Sequence, residues 1–239
     1  MFYITGYRGV KIRMKTALIT GANKGIGLEF ARQLKNKGYY IYGSCRNPEK
    51  ANELNELADE IFQLDVTNDN DIATLQKNLN HRPIDLLVNN AGITGQSGVT
   101  IGNIDRENFI NVFNVNCISV VKLSDALLPN IQASKEKNIL VISSRMGSIS
   151  DNDSGRSYAY RASKAALNCV MRSFAIDVKA KEINVMLIHP GWVKTDMGGI
   201  NALIDVQTSV AGMLKQAEKQ FSQSHADVLH CFDGGLITW

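Results

Sequence analysis

Thr16-Ala17-Leu18-Ile19-Thr20-Gly21-Ala22-Asn23-Lys24-Gly25-Ile26-Gly27 is the stretch that decides the fold. Residues 16–20 form a short apolar run that reads as a strand, and residues 25–37 read as the helix after it. The glycines between them let the backbone turn tightly and approach a ligand. The helix start adds unpaired N–H groups and positive potential. A strand, a glycine turn and a helix in that order form a cradle for the pyrophosphate of a dinucleotide, lined by Gly21, Asn23, Lys24, Gly25, Ile26 and Gly27.

Outward from this motif, apolar runs alternate with helical patterns from Lys15 to the end. The runs are 16–20, 39–44, 61–65, 86–89, 138–143, 184–189 and 228–232, giving seven candidate strands. Several are continuously apolar, as expected where helices cover both faces of a parallel sheet. Gly38 stops the first helix, Asn47-Pro48 starts the second with a cap and a first-turn proline, and Thr67 or Asn68 caps the third. The longest helical patterns span 105–128 and 157–181. The expected fold is α/β, a Rossmann-type, doubly wound, seven-stranded parallel sheet with helices on both faces. No linker, repeat or low-complexity stretch divides residues 14–239, which read as one domain. Residues 1–13 read as an extension outside that fold, since Met14-Lys15-Thr16 looks like the natural start of such a chain, with a short extra strand or contact arm as the alternative.

Composition narrows the function. The 239 residues are 44% hydrophobic and 21% charged, ordinary for a soluble globular protein. A net charge of +3 from well-mixed signs points to neither a nucleic-acid nor a membrane partner. No apolar run approaches the roughly 18 residues that span a bilayer. The four cysteines are scattered without a Cys-x-x-Cys pair, which suits free thiols in a reducing cytoplasm. His81, His189, His225 and His230 show no ligand spacing, so no metal is expected.

The second strand ends in Ser44-Cys45-Arg46, with no carboxylate before Glu49. In dinucleotide folds an acid about 20 residues past the glycines binds the adenosine ribose of NAD, whereas an arginine accommodates a 2′-phosphate. Arg46, with Lys24 as a second cation, therefore favours NADPH/NADP over NAD. Asp65-Val66-Thr67 closes the third strand, where Asp65 could meet the adenine amino group. Asn89-Asn90-Ala91-Gly92 closes the fourth, at the sheet edge where doubly wound folds bind ligands.

The chemistry lies farther along. Tyr160-Arg161-Ala162-Ser163-Lys164 sets a phenol and an ammonium on one helix face, after the pair Ser143-Ser144 at the preceding strand end. A phenol with pKa about 10 is a poor acid–base catalyst near neutrality. A nearby ammonium and a cationic nicotinamide would lower that value by favouring phenolate. Tyr160 could then protonate a carbonyl oxygen as hydride reaches carbon, with a serine hydroxyl on the same oxygen.

With these motifs in their order, residues 15–239 resemble the short-chain dehydrogenases/reductases. Tyr158-Ala159-Tyr160-Arg161-Ala162-Ser163-Lys164, the segment from His189 to Gly199 and the ending Asp233-Gly234-Gly235-Leu236-Ile237-Thr238-Trp239 look like sniffer-type carbonyl reductases and C-factor-like proteins. The resemblance implies Tyr160 as general acid and Lys164 as the group that binds the nicotinamide ribose and lowers the phenol's pKa. It implies Ser144, more than Ser143, as the substrate-orienting serine. Asn116 matches the asparagine holding a relay water, with Asn114 as its rival. Pro190, Gly191, Val193 and Thr195 correspond to the segment gripping the carboxamide, and the resemblance implies Asn89, Ala91 and Gly92 as lining of the cofactor cleft. Ser144 lies 16 residues before Tyr160, so the intervening loop is slightly enlarged. The stretch after Thr195 looks short and flexible, which implies an open pocket and loose specificity.

The expected activity is reduction of a small-molecule aldehyde or ketone. A dinucleotide sensor with little turnover and a reductase of a C=N bond, with Trp192 and Tyr158 as stacking aromatics, are the alternatives. The family pairs through the stretches 105–128 and 157–181, which implies a homodimer, with a tetramer as the alternative.

Overall fold

The computed structural model describes residues 3–5, 11–223 and 225–239; residues 1, 2 and 6–10 of the expected extension lie outside the described residues. Strands β1 (Tyr3–Thr5) and β2 (Lys11–Arg13) pair antiparallel with each other, apart from the main sheet. The main sheet holds β3 (Thr16–Thr20), β4 (Tyr40–Cys45), β5 (Glu60–Gln63), β6 (Leu86–Asn89), β7 (Asn138–Ile142), β8 (Asn184–His189), β9 (His225–Cys231) and β10 (Leu236–Ile237), in the order β10-β9-β8-β7-β6-β3-β4-β5. The seven strands expected are all parallel. An eighth, β10, folds back antiparallel on β9 after a tight turn at Gly234, whose φ is 99°. At two residues it is too short to leave a sequence pattern.

Helices α1 (Gly25–Asn36), α2 (Asn52–Leu57) and α8 (Val206–Gln220) lie over one face. On the other are α3 (Asp69–Leu79), α4 (Arg106–Phe113), α5 (Ser119–Ala126), α6 (Leu128–Gln132) and α7 (Tyr158–Val178). Successive strand residues feed opposite layers, so both sets must be apolar. Ala17, Ile19, Val88, Leu140 and Ile188 join the α1–α8 layer, while Leu18, Leu87, Val141 and Leu187 join the α5–α7 layer. Each larger side chain among them, fully buried, stabilises the fold by about 1.5–3 kcal/mol.

Two helical expectations change. Pro48 opens a 3₁₀ turn (Pro48–Lys50), and Asn47 makes no side-chain cap bond; α2 itself starts at Asn52. The run over 105–128 is not continuous: after α4 it widens into a π-helical turn at Asn114–Ile118 and breaks again at Leu127. Asn68 does cap α3, accepting from the Asn70 N–H at 2.9 Å. The chain moves outward from β3 through β4 to β5, then returns to β6 on the other side of β3. That reversal opens a crevice at the carboxyl ends of β3 and β6.

Candidate active site

Two loops meet at the reversal. In the first, Gly21 and Gly25 have φ of 61° and 55°, left-handed values that glycine adopts freely. A Cβ on Gly27 would come within 2.3 Å of the Gly21 carbonyl oxygen, so the turn and α1 pack without room for a side chain. Helix α1 starts after Lys24 with no side-chain cap and no acid in its first turn, which leaves its positive end available to an anion. Asn23 and Ile26 flank that start.

In the second loop the Thr20 hydroxyl accepts from the Asn90 and Ala91 N–H groups at 3.0 Å each. The Asn90 amide donates to the Thr20 and Gly21 carbonyls at 2.8 and 3.2 Å. Asn90, passed over in the sequence, thus joins the two loops. The Asn89 side chain points elsewhere: it is buried and donates to the Ser124 hydroxyl at 3.0 Å, away from the glycine turn. Strand alternation was the usable signal, because adjacent residues face opposite ways.

At the outer end of the crevice Arg46 is exposed at the end of β4. Asp65 accepts from the Thr67 hydroxyl at 2.7 Å and the Thr67 N–H at 2.9 Å. Those bonds hold its carboxyl below the usual range, with help from the Arg46 charge, and Val66 sits half-buried beside it. Lys24 reaches across the turn to Asp196, Nζ to Oδ2 2.7 Å.

Asp196 belongs to the segment after β8, which is less loose than its glycines suggest. Val193 bridges Ile204, and the Trp192 indole donates to the Gly198 carbonyl at 2.8 Å. Thr195 Oγ1 accepts from the Gly198 N–H at 3.1 Å, and its methyl lies 3.3 Å from where a Gly25 Cβ would stand. The Pro190 carbonyl accepts from Ser209 at 2.6 Å, and Gly191, with φ 85°, lies against Ile204 and Phe232. Thr195 and Asp196 therefore sit on the glycine turn, while Pro190 and Gly191 are anchored to Ser209, Ile204 and Phe232. The half-buried His189 is held well below its usual value, to about 4, by burial and then by the Arg145 charge; it is neutral near pH 7.

The candidate catalytic residues converge from the end of β7, the π-helical turn and α7. Ser144 lies two residues past the strand and caps a 3₁₀ turn by accepting from the Met146 N–H at 3.1 Å. Its side chain also lies close enough to the Tyr160 phenol to favour the phenolate. Ser143 instead donates to the buried Asn168 Oδ1 at 2.6 Å, so of the two serines Ser144 meets the phenol. Lys164 is buried on the same helix, with Nζ 5.9 Å from the Tyr160 ring centre and donating to the Ile142 carbonyl at 2.8 Å. Burial lowers its ammonium to about 8.

Asn116 is fully buried in the π-helical turn. Its amide clamps Ile93, accepting from the N–H at 2.9 Å and donating to the carbonyl at 2.8 Å. It also donates to Ser163 at 3.1 Å, and Ser163 in turn donates to the Tyr160 carbonyl at 2.8 Å. Ser163, not anticipated, thereby links Asn116 to the Tyr160 turn. Gly92 lies against Asn116 Oδ1, where a Cβ would stand 3.3 Å away. Burial pushes the Tyr160 phenol up, and the Ser144 side chain opposes that shift.

Among the described residues no helix is long and apolar enough to cross a membrane, and no group of three or more His, Cys, Asp or Glu is placed to hold a metal ion. Cys45, Cys117 and Cys231 are buried free thiols and Cys169 an exposed one.

Residues 15–202 match the family model described as short chain dehydrogenase. The chain is 35% identical over 157 residues to the C-signal protein of Myxococcus xanthus, a match that covers 66% of this chain and 93% of that protein. The carbonyl reductase Sniffer of D. melanogaster superposes with a TM-score of 0.86 at 31% identity, over 95% of this chain and 100% of that one. An NADPH-bound carbonyl reductase from chicken fatty liver gives 0.83 at 33% identity, with the same coverage of 95% and 100%.

Proposed function

We propose that this chain, which belongs to the short-chain dehydrogenase/reductase family, is an NADPH-dependent reductase that converts an aldehyde or ketone to its alcohol. The observation that carries this reading is the Tyr160 phenol lying beside the Ser144 side chain, with the buried Lys164 one turn along the same helix. NADPH, bound along the crevice, would supply the hydride. Gly21, Gly25 and the start of α1 would hold its pyrophosphate, Arg46 and Lys24 its 2′-phosphate, and Asp65 its adenine end. Pro190, Gly191, Val193 and Thr195 would form the wall on the nicotinamide side. The NADPH on the chicken enzyme supports the cofactor, and the absence of an acid at the end of β4 agrees with it.

Ser144 donates to the carbonyl oxygen and steadies the charge that develops there. Tyr160 Oη gives that oxygen its proton as the carbon takes hydride, forming one C–H and one O–H bond. Lys164, protonated near pH 7, favours the phenolate left behind, and Asn116 keeps Ile93 and the Tyr160 turn in register. The raised phenol pKa suits this direction, because the acid starts protonated. The test is NADPH oxidation by purified protein across aldehydes, diketones and quinones. Tight NADPH binding with every carbonyl inert would sink the proposal.

The charges at the two ends of the crevice set two expected results. The reductive kcat/KM should hold level between about pH 6 and 7 and fall as Lys164 loses its proton near pH 8. A rate that climbs from pH 7 to 9 would contradict this role for Lys164. Arg46→Asp should lower kcat/KM for NADPH relative to NADH by about tenfold or more, the worth of one charge-assisted contact. An unmoved preference would remove Arg46 from the cofactor site.

The remaining assignments rest on the same reading. Residues 14–239 act as one catalytic domain, and the free thiols support a cytoplasmic setting. The outward Ile110, Ile118 and Ile176, together with Cys169, support homodimer pairing through α4, α5 and α7.

A further inference from the structure

The loop that joins the two reactive hydroxyls is held at several points along its length. It leaves Ser144, runs through residues 147–157 and delivers Tyr160 at the start of α7. On its way out the chain passes three consecutive residues in the left-handed region, Gly155, Arg156 and Ser157, at φ 62°, 56° and 47°. Two of these are not glycine, so the exit is strained and must be held by its surroundings. Arg161 holds it from the helix, donating to the Gly155 carbonyl at 3.2 Å and the Ser154 hydroxyl at 2.9 Å. Arg145 pairs loosely with Asp151 at 3.7 Å.

The remaining hold comes from the far end of the sequence. After β10 the chain reaches Ser150 in the middle of the loop. The Thr238 and Ser150 hydroxyls share a bond of 2.9 Å, and the Ser150 N–H donates to the Trp239 carbonyl at 3.2 Å. That tail is itself tied to the sheet, since Leu236 and Ile237 pair with His230 and Leu229 of β9 and Ile237 is buried. Ser148 closes the knot, with its hydroxyl 3.2 Å from that of Ser150 and accepting from the Asp151 N–H at 3.1 Å. Exposed apolar side chains gather here: Ile149 on the loop, Leu236 and Trp239 on the tail. At the other end of the loop, Ser157 and Tyr158 line a small cavity together with Tyr160.

We propose that residues 236–239 are a specificity element, a strap whose clasp on Ser150 sets the loop wall between Ser144 and Tyr160 and so limits the size of the carbonyl compound that reaches the phenol. The proposal rests on the reductase reading of that site. Thr238 and Trp239 are positioning residues: they act on the wall and touch none of the reacting atoms.

The test compares the full chain with Thr238→Val, Thr238→Ser and a variant ending at Ile237. Amide hydrogen exchange across residues 147–157 and kcat/KM for a small aliphatic aldehyde and a bulky bicyclic ketone are measured on each. In the shortened chain, exchange in the loop should quicken about tenfold, and the ratio of bulky to small kcat/KM should rise about tenfold through KM, with kcat for the small aldehyde held within about twofold. Thr238→Val should move both readouts in the same direction by less, and Thr238→Ser should match the full chain. Unchanged exchange in the shortened chain would overturn the clasp, and faster exchange with an unchanged substrate ratio would overturn its role in specificity. The exchange readout needs no turnover, so it fails separately from the reductase reading.

Discussion

Tyr160→Phe is expected to cut carbonyl reduction about a thousandfold while changing NADPH affinity by no more than about twofold. The substitution removes one oxygen and keeps the ring. The Tyr160 carbonyl still accepts from Ser163, and Lys164 still donates to Ile142, so the start of α7 keeps its anchors. What disappears is the proton donor beside Ser144. A loss of about a thousandfold corresponds to about 4 kcal/mol of transition-state stabilisation, within the range that a positioned general acid contributes. Steady-state NADPH oxidation gives the rate, and quenching or enhancement of cofactor fluorescence gives the affinity. Ser143→Ala is the control, because that hydroxyl is bonded to Asn168 and stands apart from the phenol. A Tyr160→Phe protein that keeps about a tenth of the activity would remove the phenol from the proton step.

The parts of this molecule that were legible in the sequence are those where one physical demand dominates. Strands buried on both faces must be apolar at nearly every position, so the runs at 86–89 and 184–189 match β6 and β8 residue for residue. The glycine turn was legible because positive φ at Gly21 and Gly25 favours glycine and the close approach at Gly27 excludes a side chain. The π-helical turn at Asn114–Ile118 was not, because its apolar pattern is that of an ordinary helix and the extra residue is stabilised by tertiary contacts. One of those contacts is Asn116 clamping Ile93.

Which of two neighbouring asparagines joins the glycine turn was also hidden, whereas the family resemblance favours Ser144 over Ser143. Asn90 rather than Asn89 joins the glycine turn, and Ser144 rather than Ser143 meets the phenol. In both pairs the chain alternates faces, and the answer depends on where the strand ends to within one residue. Contacts between distant segments, such as Lys24 with Asp196 and Ser150 with Thr238, leave no local pattern at all.

Asp85→Ala is expected to destabilise the protein by about 3–5 kcal/mol, the cost of stripping one partner from a buried ion pair. Asp85 is 1% exposed at the amino end of β6, opposite the reactive end of the sheet. Its carboxylate pairs with Arg13 and accepts from the Thr16 N–H at 2.8 Å, the Thr16 hydroxyl at 3.1 Å and the Ser134 hydroxyl at 2.7 Å. Alanine leaves these donors facing a void, and the guanidinium of Arg13 loses its counter-charge beside the sheet. For a chain of this size the melting temperature should fall by about 10 °C or more. Arg13→Ala is the informative partner, because it leaves the carboxylate with its three neutral donors and should cost less. Urea midpoints on both variants and the double variant form a cycle that isolates the Arg13–Asp85 coupling. Equal losses in both single variants would mean that the pair carries most of the effect; a near-neutral Asp85→Ala would show that the neutral donors find other partners when the carboxylate is gone.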